Sequence, residues 1–317
     1  MRVAVLDLGT NVFNLLLCLF EKDGCRALCE FKQAARLGAG GLSDGYISEK
    51  AFGTAADALS AIMARIRECG GADQVLAYAT SAVRDARNGR DFTACMKEKF
   101  GIEINVISGG QEAGLIFRGI MESLPEEMKT AGNILMLDIG GGSNEFVISD
   151  GRKILWKRSF PIGMARMREM FNYTDPLPEN IAASFAEYCN GQLEPLWREV
   201  EKYSPVLFVG SSGSFDTFRD LLYFNLSPEQ PYKILEKEKM EALHQTLLAS
   251  NSQQRLSMPG MSPIRVDYIV LASVFTKLVM DRVKPDIVCQ SSYSLKEGAM
   301  AICYDRWRET GKIDGKI

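Results

Sequence analysis

The chain has 317 residues, 46% of them hydrophobic and 24% charged, with a formal net charge of −3. That length exceeds the size at which single cores usually stop growing, so two domains are expected, and the ordinary composition excludes a disordered or fibrous chain. The slight acidity argues against general nucleic-acid binding, and no basic amphipathic helix suits a membrane surface. No run approaches the ~18 uncharged apolar residues of a membrane span, and the start "MRVAVLDLG" meets an acid at Asp7, so no signal peptide is expected and the expected location is cytoplasmic. The 8 cysteines are scattered without a C-x-x-C, which predicts buried, reduced thiols. The single histidine, His244, lies in a helical pattern without acids at metal-ligand spacing. Histidine-rich metal centres and serine hydrolase triads are thereby nearly excluded, and acid–base work falls to carboxylates.

In chain order, apolar periodicity predicts strands at 3–7, 13–20 and about 25–34, a glycine-rich turn over 36–45, and an amphipathic helix near 49–68. A strand "VLAYAT", a loop "SAVRDARNG", a helix near 90–99, the strand "IEINVI" and a helix over about 110–122 follow. The Pro, charge and Gly content of "SLPEEMKTAGN" marks a linker, which places one domain over 1–125 and a second over 126–293. The second half opens with strands near 134–138, 144–150 and 152–159, then helices near 163–171 and 178–201 and the strand "PVLFVG". Helices near 213–224, 234–249 and 264–282, the strand "DIVC" and a helix over about 294–308 complete it. Alternating strands and helices in both halves make the fold class α/β.

The stretch "ILMLDIGGGSNEFVI" reads as a buried strand ending in Asp138, a glycine tip and a returning strand that brings Glu145. Gly140, Gly141 and Gly142 remove every Cβ from the tip, so positive φ is allowed and an anion can approach the bare N–H groups. A glycine-rich hairpin that needs only the bend is the competing reading. Two flanking acids weaken it, because a carboxylate ending a buried strand needs a partner, such as a metal ion or hydrogen-bond donors. The same device opens the chain: "VAVLDLGTNVFNLLL" puts Asp7 in the position of Asp138. Two such loops facing across a cleft would hold a phosphate chain and its metal from both sides.

Four further segments carry chemistry. In "YATSAVRDARNGRD", Arg84 can fork onto phosphate or a carboxylate, while Arg87 and Arg90 fit a solvated cluster equally well. In "VISGGQEAGLIFRGI", Glu112 stands in the first turn of a helix, where it either complements the helix dipole or deprotonates water. "PVLFVGSSGSFDTF" runs from a buried strand through Ser211, Ser212, Gly213 and Ser214 into a helix, a pattern that caps helices and binds anions. Arg265 and Asp267, at the entrance of a very apolar helix, read as a structural ion pair or as direct ligands.

In order and content, these segments, with "RLGAGGLSDGYISEKAF", "SFPIGMARMREMF", "IRVDYIVLA" and "SSYSLKEGAM", resemble the exopolyphosphatase and guanosine pentaphosphate phosphatase family of the actin-like ATPase superfamily, over almost the entire chain. The resemblance implies two actin-like (ribonuclease H-like) domains, each with a mixed sheet flanked by helices, and a final helix over about 294–317 packing back on the first. It implies Glu112 as the carboxylate that orients or deprotonates the attacking water. Asp138 and Glu145 would be catalytic acids that hold Mg²⁺ or another divalent cation, with Asp7 as a further metal ligand. Gly9, Thr10, Asn11, Arg84, Gly140, Gly141, Gly142, Ser143, Asn144, Ser211, Ser212, Gly213 and Ser214 would bind phosphate. The implied partner is polyphosphate or a phosphorylated guanosine nucleotide, without nucleic acid or membrane, and the family suggests a homodimer.

The chain also departs from the family pattern. Val12 replaces a serine and Asn14 a basic residue in the first loop. Asn144 replaces threonine, Gln111 replaces the first glutamate of a pair, and Gly114 replaces an arginine. The losses at 14 and 114 remove two positive charges. Chain length also predicts the short form, without the histidine-bearing C-terminal domain of longer members. A non-enzymatic sensor of polyphosphate or an alarmone, and a nucleotide-dependent kinase or ATPase, are the other function classes compatible with these loops.

Overall fold

The computed structural model describes residues 1–41, 44–225 and 230–313. Positions 42 and 43 of the expected glycine-rich turn, and 314–317 of the expected last helix, lie outside the described residues. The chain divides into two compact units, Met1–Gly119 with Leu295–Ile317, and Ile120–Ser294.

The first unit is built from β1 (Arg2–Leu8), β2 (Val12–Glu21), β3 (Gly24–Ala34), α1 (Glu49–Glu68), β4 (Gln74–Ala79), α2 (Ser81–Arg84), α3 (Gly89–Phe100), β5 (Ile104–Val106) and all but the last turn of α4 (Gly109–Ser123), which is divided after Gly119. Its strands form one mixed sheet in the order β3-β2-β1-β4-β5, with β1 antiparallel to β2 and parallel to β4. Val3, Ala4, Val5 and Leu6 are all buried. Consecutive buried residues on a strand require cover on both faces of the sheet. α1 starts where Ser48 accepts the Ala51 N–H at 3.2 Å, and it carries Glu49 in its first turn and Arg65 and Arg67 in its last, charges that complement the helix dipole. Where a loop is expected at 81–89, the short helix α2 forms.

The second unit contains α5 (Glu126–Lys129), β6 (Ile134–Ile139), β7 (Asn144–Ser149), β8 (Ile154–Phe160), α6 (Met164–Phe171), α7 (Glu179–Gln192), α8 (Glu194–Tyr203), β9 (Leu207–Ser211), α9 (Ser212–Leu222), β10 (Tyr232–Ile234), α10 (Lys237–Ala249), α11 (Ser252–Leu256), α12 (Ile269–Val283) and β11 (Ile287–Ser291). Its sheet runs β10-β11-β9-β6-β7-β8. β6 is antiparallel to β7 and parallel to β9, which repeats the pairing of β1 with β2 and β4. Every residue of β6 and β7 is buried, and Trp197, Phe146, Phe208, Phe215 and Phe275 fill the core around them. Together the two units make an α/β chain with two mixed sheets, each accompanied by helices.

Several element boundaries differ from the sequence expectation. The single helix expected over 178–201 is two, divided at Leu193, because Pro195 has no N–H to give and its ring obstructs the preceding turn. α12 begins at Ile269 instead of 264, after a stretch of turns. The "linker" holds α5, and β10 and α11 are short elements that periodicity does not mark. Among the described residues, no helix is long and apolar enough to cross a membrane.

The helix α13 (Leu295–Thr310) belongs to the first unit. Phe20 of β2 meets Tyr304 and Trp307 at ring separations of 5.2 and 5.6 Å, and the Tyr304 hydroxyl donates to the Glu21 carbonyl at 3.0 Å. A Cβ on Gly298 would lie 1.9 Å from the Leu115 carbonyl oxygen, so α13 and α4 approach at a distance only glycine permits. Beside this contact the nearly buried Lys296 ammonium pairs with Glu30 at 3.3 Å and with Glu297.

The second unit contains a comparable buried cation. Arg255 is 2% exposed and donates to the Val266 carbonyl at 3.0 Å, to the Ser250 carbonyl and to Asp175 at 2.8 Å. Burial would raise Asp175, but the Arg255 guanidinium and the Ser252 N–H outweigh it and hold the carboxyl below its ordinary range. A depressed folded-state value means that the stabilisation is complete above the unfolded carboxylate pKa, ~3.9, and is lost as pH falls through the folded value. Arg255→Met is therefore expected to cost about 3 kcal/mol at neutral pH. Urea unfolding would read this as a lower midpoint, with the gap to wild type narrowing in acid. An unchanged midpoint would remove this ion pair from the account of the fold.

Candidate functional site

In the first unit, β1 carries Asp7 opposite Asn14 of β2, and the Asn14 amide donates to the Asp7 carboxylate at 2.9 Å. Asn14 thus supplies a neutral hydrogen bond to the carboxylate. Between the strands, Gly9 lies so close to the Val12 carbonyl oxygen that a Cβ would stand 2.9 Å from it. The buried Thr10 and Ser81 hydroxyls lie 3.2 Å apart, which ties this loop to the start of α2. The carbonyl of the buried Asn11 accepts from the N–H groups of Ala35 and Arg36 at 2.9 and 3.0 Å.

α2 ends in Arg84, whose guanidinium donates to Glu112 at 2.7 Å, to the Ile107 carbonyl at 3.2 Å and to Asp85 at 3.3 Å. Glu112 itself is only 6% exposed. A buried carboxylate is costly unless it is paired, and this bond from an ionised donor supplies the pairing. The neighbouring Gln111 side chain accepts from the Ser108 N–H and hydroxyl, both at 3.0 Å, while the Ser108 hydroxyl accepts from the Gln111 N–H at 3.2 Å. This reciprocal S-x-x-Q cap fixes the start of α4 and so aims the next residue, Glu112.

In the second unit, Asp138 and Glu145 stand directly opposite each other on β6 and β7, so both carboxylates project from one face of the hairpin. Glu145, 2% exposed, accepts from Ser143 and Ser159, each at 2.7 Å. Asp138 accepts from Ser211 at 3.1 Å and also from Ser212 and Ser294. Burial pushes the Asp138 carboxyl up, against the pull of these three hydroxyls and the Arg265 charge.

The glycine tip differs from its expected form. None of Gly140, Gly141 or Gly142 has positive φ. Close approach requires glycine at two places beside the tip: a Cβ on Gly140 would meet the Ser143 carbonyl oxygen at 2.4 Å, and one on Gly163 would meet the Gly141 and Gly142 backbone at 2.4–2.5 Å. The tip's carbonyls accept from Gly163, Met164, Ala165 and Arg166, which seats the start of α6 on it. Asn144, fully buried, accepts from the Gly140 N–H at 3.2 Å and donates to the Ile162 carbonyl at 2.9 Å, so its side chain braces the tip. The N–H groups of Gly141, Gly142 and Ser143 donate to no acceptor among the described residues. A row of such donors suits an anion.

Ser211 ends β9 and Ser212 opens α9 directly, so the loop expected over 211–214 is a strand end and the first turn of a helix. Ser212 has φ +70°, a left-handed conformation that costs a non-glycine residue roughly 1–3 kcal/mol. Neither Ser211 nor Ser212 spends its hydroxyl on capping α9, because both turn to Asp138. Arg265 lies against this turn, close enough that a Cβ on Gly213 would meet its guanidinium at 2.0 Å. The charges of Asp216 and Asp138 act on it, and no ion pair joins it to Asp267 among the described residues. Of the two readings open for Arg265 and Asp267, the ion pair between them does not form among the described residues, and Arg265 stands instead at the start of α9 beside Gly213. Sequence reading also misses Ser159 and Ser294. Hydroxyls at strand and loop ends are too common to single out before their partner is known.

A hard divalent cation fits this donor set. Asp138 and Glu145 offer oxygen ligands only, and Mg²⁺ is usually held by one or two carboxylates plus substrate phosphates. Among the described residues no three histidine, cysteine, aspartate or glutamate side chains gather as a self-sufficient metal cluster.

The Ppx/GppA phosphatase family model matches residues 21–305. The crystal structure of an exopolyphosphatase from Cytophaga hutchinsonii is similar at 34% identity, with a TM-score of 0.91 over 96% of this chain and 98% of that one. An Aquifex aeolicus PPX-GPPA enzyme is similar at 25% identity, with a TM-score of 0.76 over 95% and 99% of the two chains. Exopolyphosphatase 1 of Mycobacterium bovis is 28% identical over 305 residues, 94% of this chain and 87% of that protein.

Proposed function

This chain belongs to the Ppx/GppA phosphatase family, and on that premise we propose that it hydrolyses the terminal phosphoryl group of inorganic polyphosphate by in-line attack of water. The observation that carries the reading is the buried Glu112 carboxylate, held at 2.7 Å by Arg84. A fixed carboxylate of this kind can orient water and accept its proton. Arg84 would also neutralise phosphate charge, and the N–H groups of Gly141, Gly142 and Ser143 would cradle phosphate oxygens. A divalent cation bound by Asp138 and Glu145 would offset charge on the phosphoryl oxygens. Phosphoryl transfer asks little covalent chemistry of a protein, so positioning and charge stabilisation supply the rate.

Phosphate release from long-chain polyphosphate and from guanosine pentaphosphate, each with and without Mg²⁺, tests the proposal. Mg²⁺-dependent release from polyphosphate is the expected result. Release from the guanosine nucleotide alone would reassign the substrate, and release from neither by folded protein would overturn the reading.

A further inference from the structure

Most of the thiols are buried as expected, but Cys25 and Cys95 are exposed. Cys95 has no thiol partner among the described residues, whereas Cys25 hydrogen-bonds the buried Cys18. The two belong to adjacent antiparallel strands, Cys18 opposite Ala27 and Cys25 opposite Phe20. They therefore share one face of the β2–β3 hairpin as a diagonal pair; that relation leaves about 7–8 Å between Cα atoms, so the two thiols meet but closing an S–S bond draws the strands slightly together. The ladder slips between Leu17–Cys29 and Cys18–Ala27, where Leu28 of β3 is the extra residue, and such a bulge bends and twists β3, the strand that carries Cys25.

We propose that Cys18 and Cys25 form a thiol modification site that a peroxide converts to a cross-strand disulfide. The exposed Cys25 sulfur, as thiolate, attacks the peroxide: an S–O bond forms, the O–O bond breaks, and the departing hydroxide takes a proton to leave as water. Cys18 then attacks the sulfenic sulfur, the S–S bond forms, the S–O bond breaks, and a second water leaves. Two thiols and one hydrogen peroxide become one disulfide and two waters, with two electrons passing from sulfur to peroxide. The division of labour follows from the site, since thiol reactivity follows thiolate character and access. The hydrogen bond with Cys18 lowers the Cys25 thiol, while that same contact, reinforced by burial, raises Cys18. A second contact, between Cys29 of β3 and Cys69 at the end of α1, offers no exposed thiol and serves as the internal comparison.

Trypsin separates all four cysteines, into Val3–Lys22, Asp23–Arg26, Ala27–Lys32 and Glu68–Arg84. The folded, full-length protein is treated with hydrogen peroxide, alkylated with iodoacetamide without reduction, digested and weighed. The expected product is Val3–Lys22 joined to Asp23–Arg26 with the loss of two hydrogens, reversed by dithiothreitol and absent from Cys25→Ser. Finding both peptides alkylated would overturn the proposal. So would Cys25 oxidised to sulfinic acid beside an alkylated Cys18, or Cys25 joined to Cys29 or Cys69.

Discussion

Glu112→Gln is expected to lower phosphate release from polyphosphate by roughly 10²–10⁴-fold, the range that removal of a general base commands. The substitution keeps the shape of the side chain and leaves an amide oxygen for the Arg84 guanidinium, which now lies 2.7 Å from the carboxylate. The start of α4 does not depend on Glu112, because Ser108 and Gln111 cap it. Folding should persist, so the loss belongs in kcat, with KM little changed, the signature of an interaction made in the transition state. A variant that retains turnover within about threefold would take the proton-accepting role away from Glu112.

Asp138→Asn is expected to move stability and activity in opposite directions. Asp138 is buried, and burial dominates its environment despite three serine hydroxyls and the nearby Arg265 charge. The isosteric amide removes the cost of a desolvated charge while the hydroxyls can reorient to serve it. We expect a gain of about 1–2 kcal/mol in unfolding free energy, the increment typical of relieving a functional site. Polyphosphate turnover should collapse. Wild type, but not the variant, should gain thermal stability from added Mg²⁺, since a ligand stabilises the state that binds it. If the variant unfolds more easily than wild type without cation, the hydroxyls and Arg265 stabilise the carboxylate by more than burial costs.

The parts of this site legible in the sequence are those written locally. Strands ending in Asp7 and Asp138, followed by glycine and a returning strand, show themselves through hydrophobic period and turn chemistry alone. The face-to-face placement of Asp138 and Glu145 then follows from a tight antiparallel hairpin. Local pattern falls short where distant segments decide the outcome. Arg265 has Asp267 two positions away as its nearest acid in sequence, yet the fold carries it to Gly213 and Asp138. Ser294 reaches Asp138 from the far end of its unit. The glycines at 140–142 suggest a backbone that needs positive φ, whereas none adopts it and Gly140 instead permits the close approach of the Ser143 carbonyl. Missing side chains look the same in a sequence whichever use is made of them.

The close seating of α13 on α4 has a consequence for the order in which the chain becomes competent. The second unit, Ile120–Ser294, is one uninterrupted segment, but the first is completed only by a helix that follows it. On the ribosome the second unit can therefore close while the first still waits, with Phe20 lacking Tyr304 and Trp307 and the Glu112-bearing helix lacking Gly298. Domains generally fold as units during synthesis, from the N-terminal end. Here residues made before the second unit are enclosed after it, so a nascent chain carries Glu112 in an unfinished frame until α13 emerges.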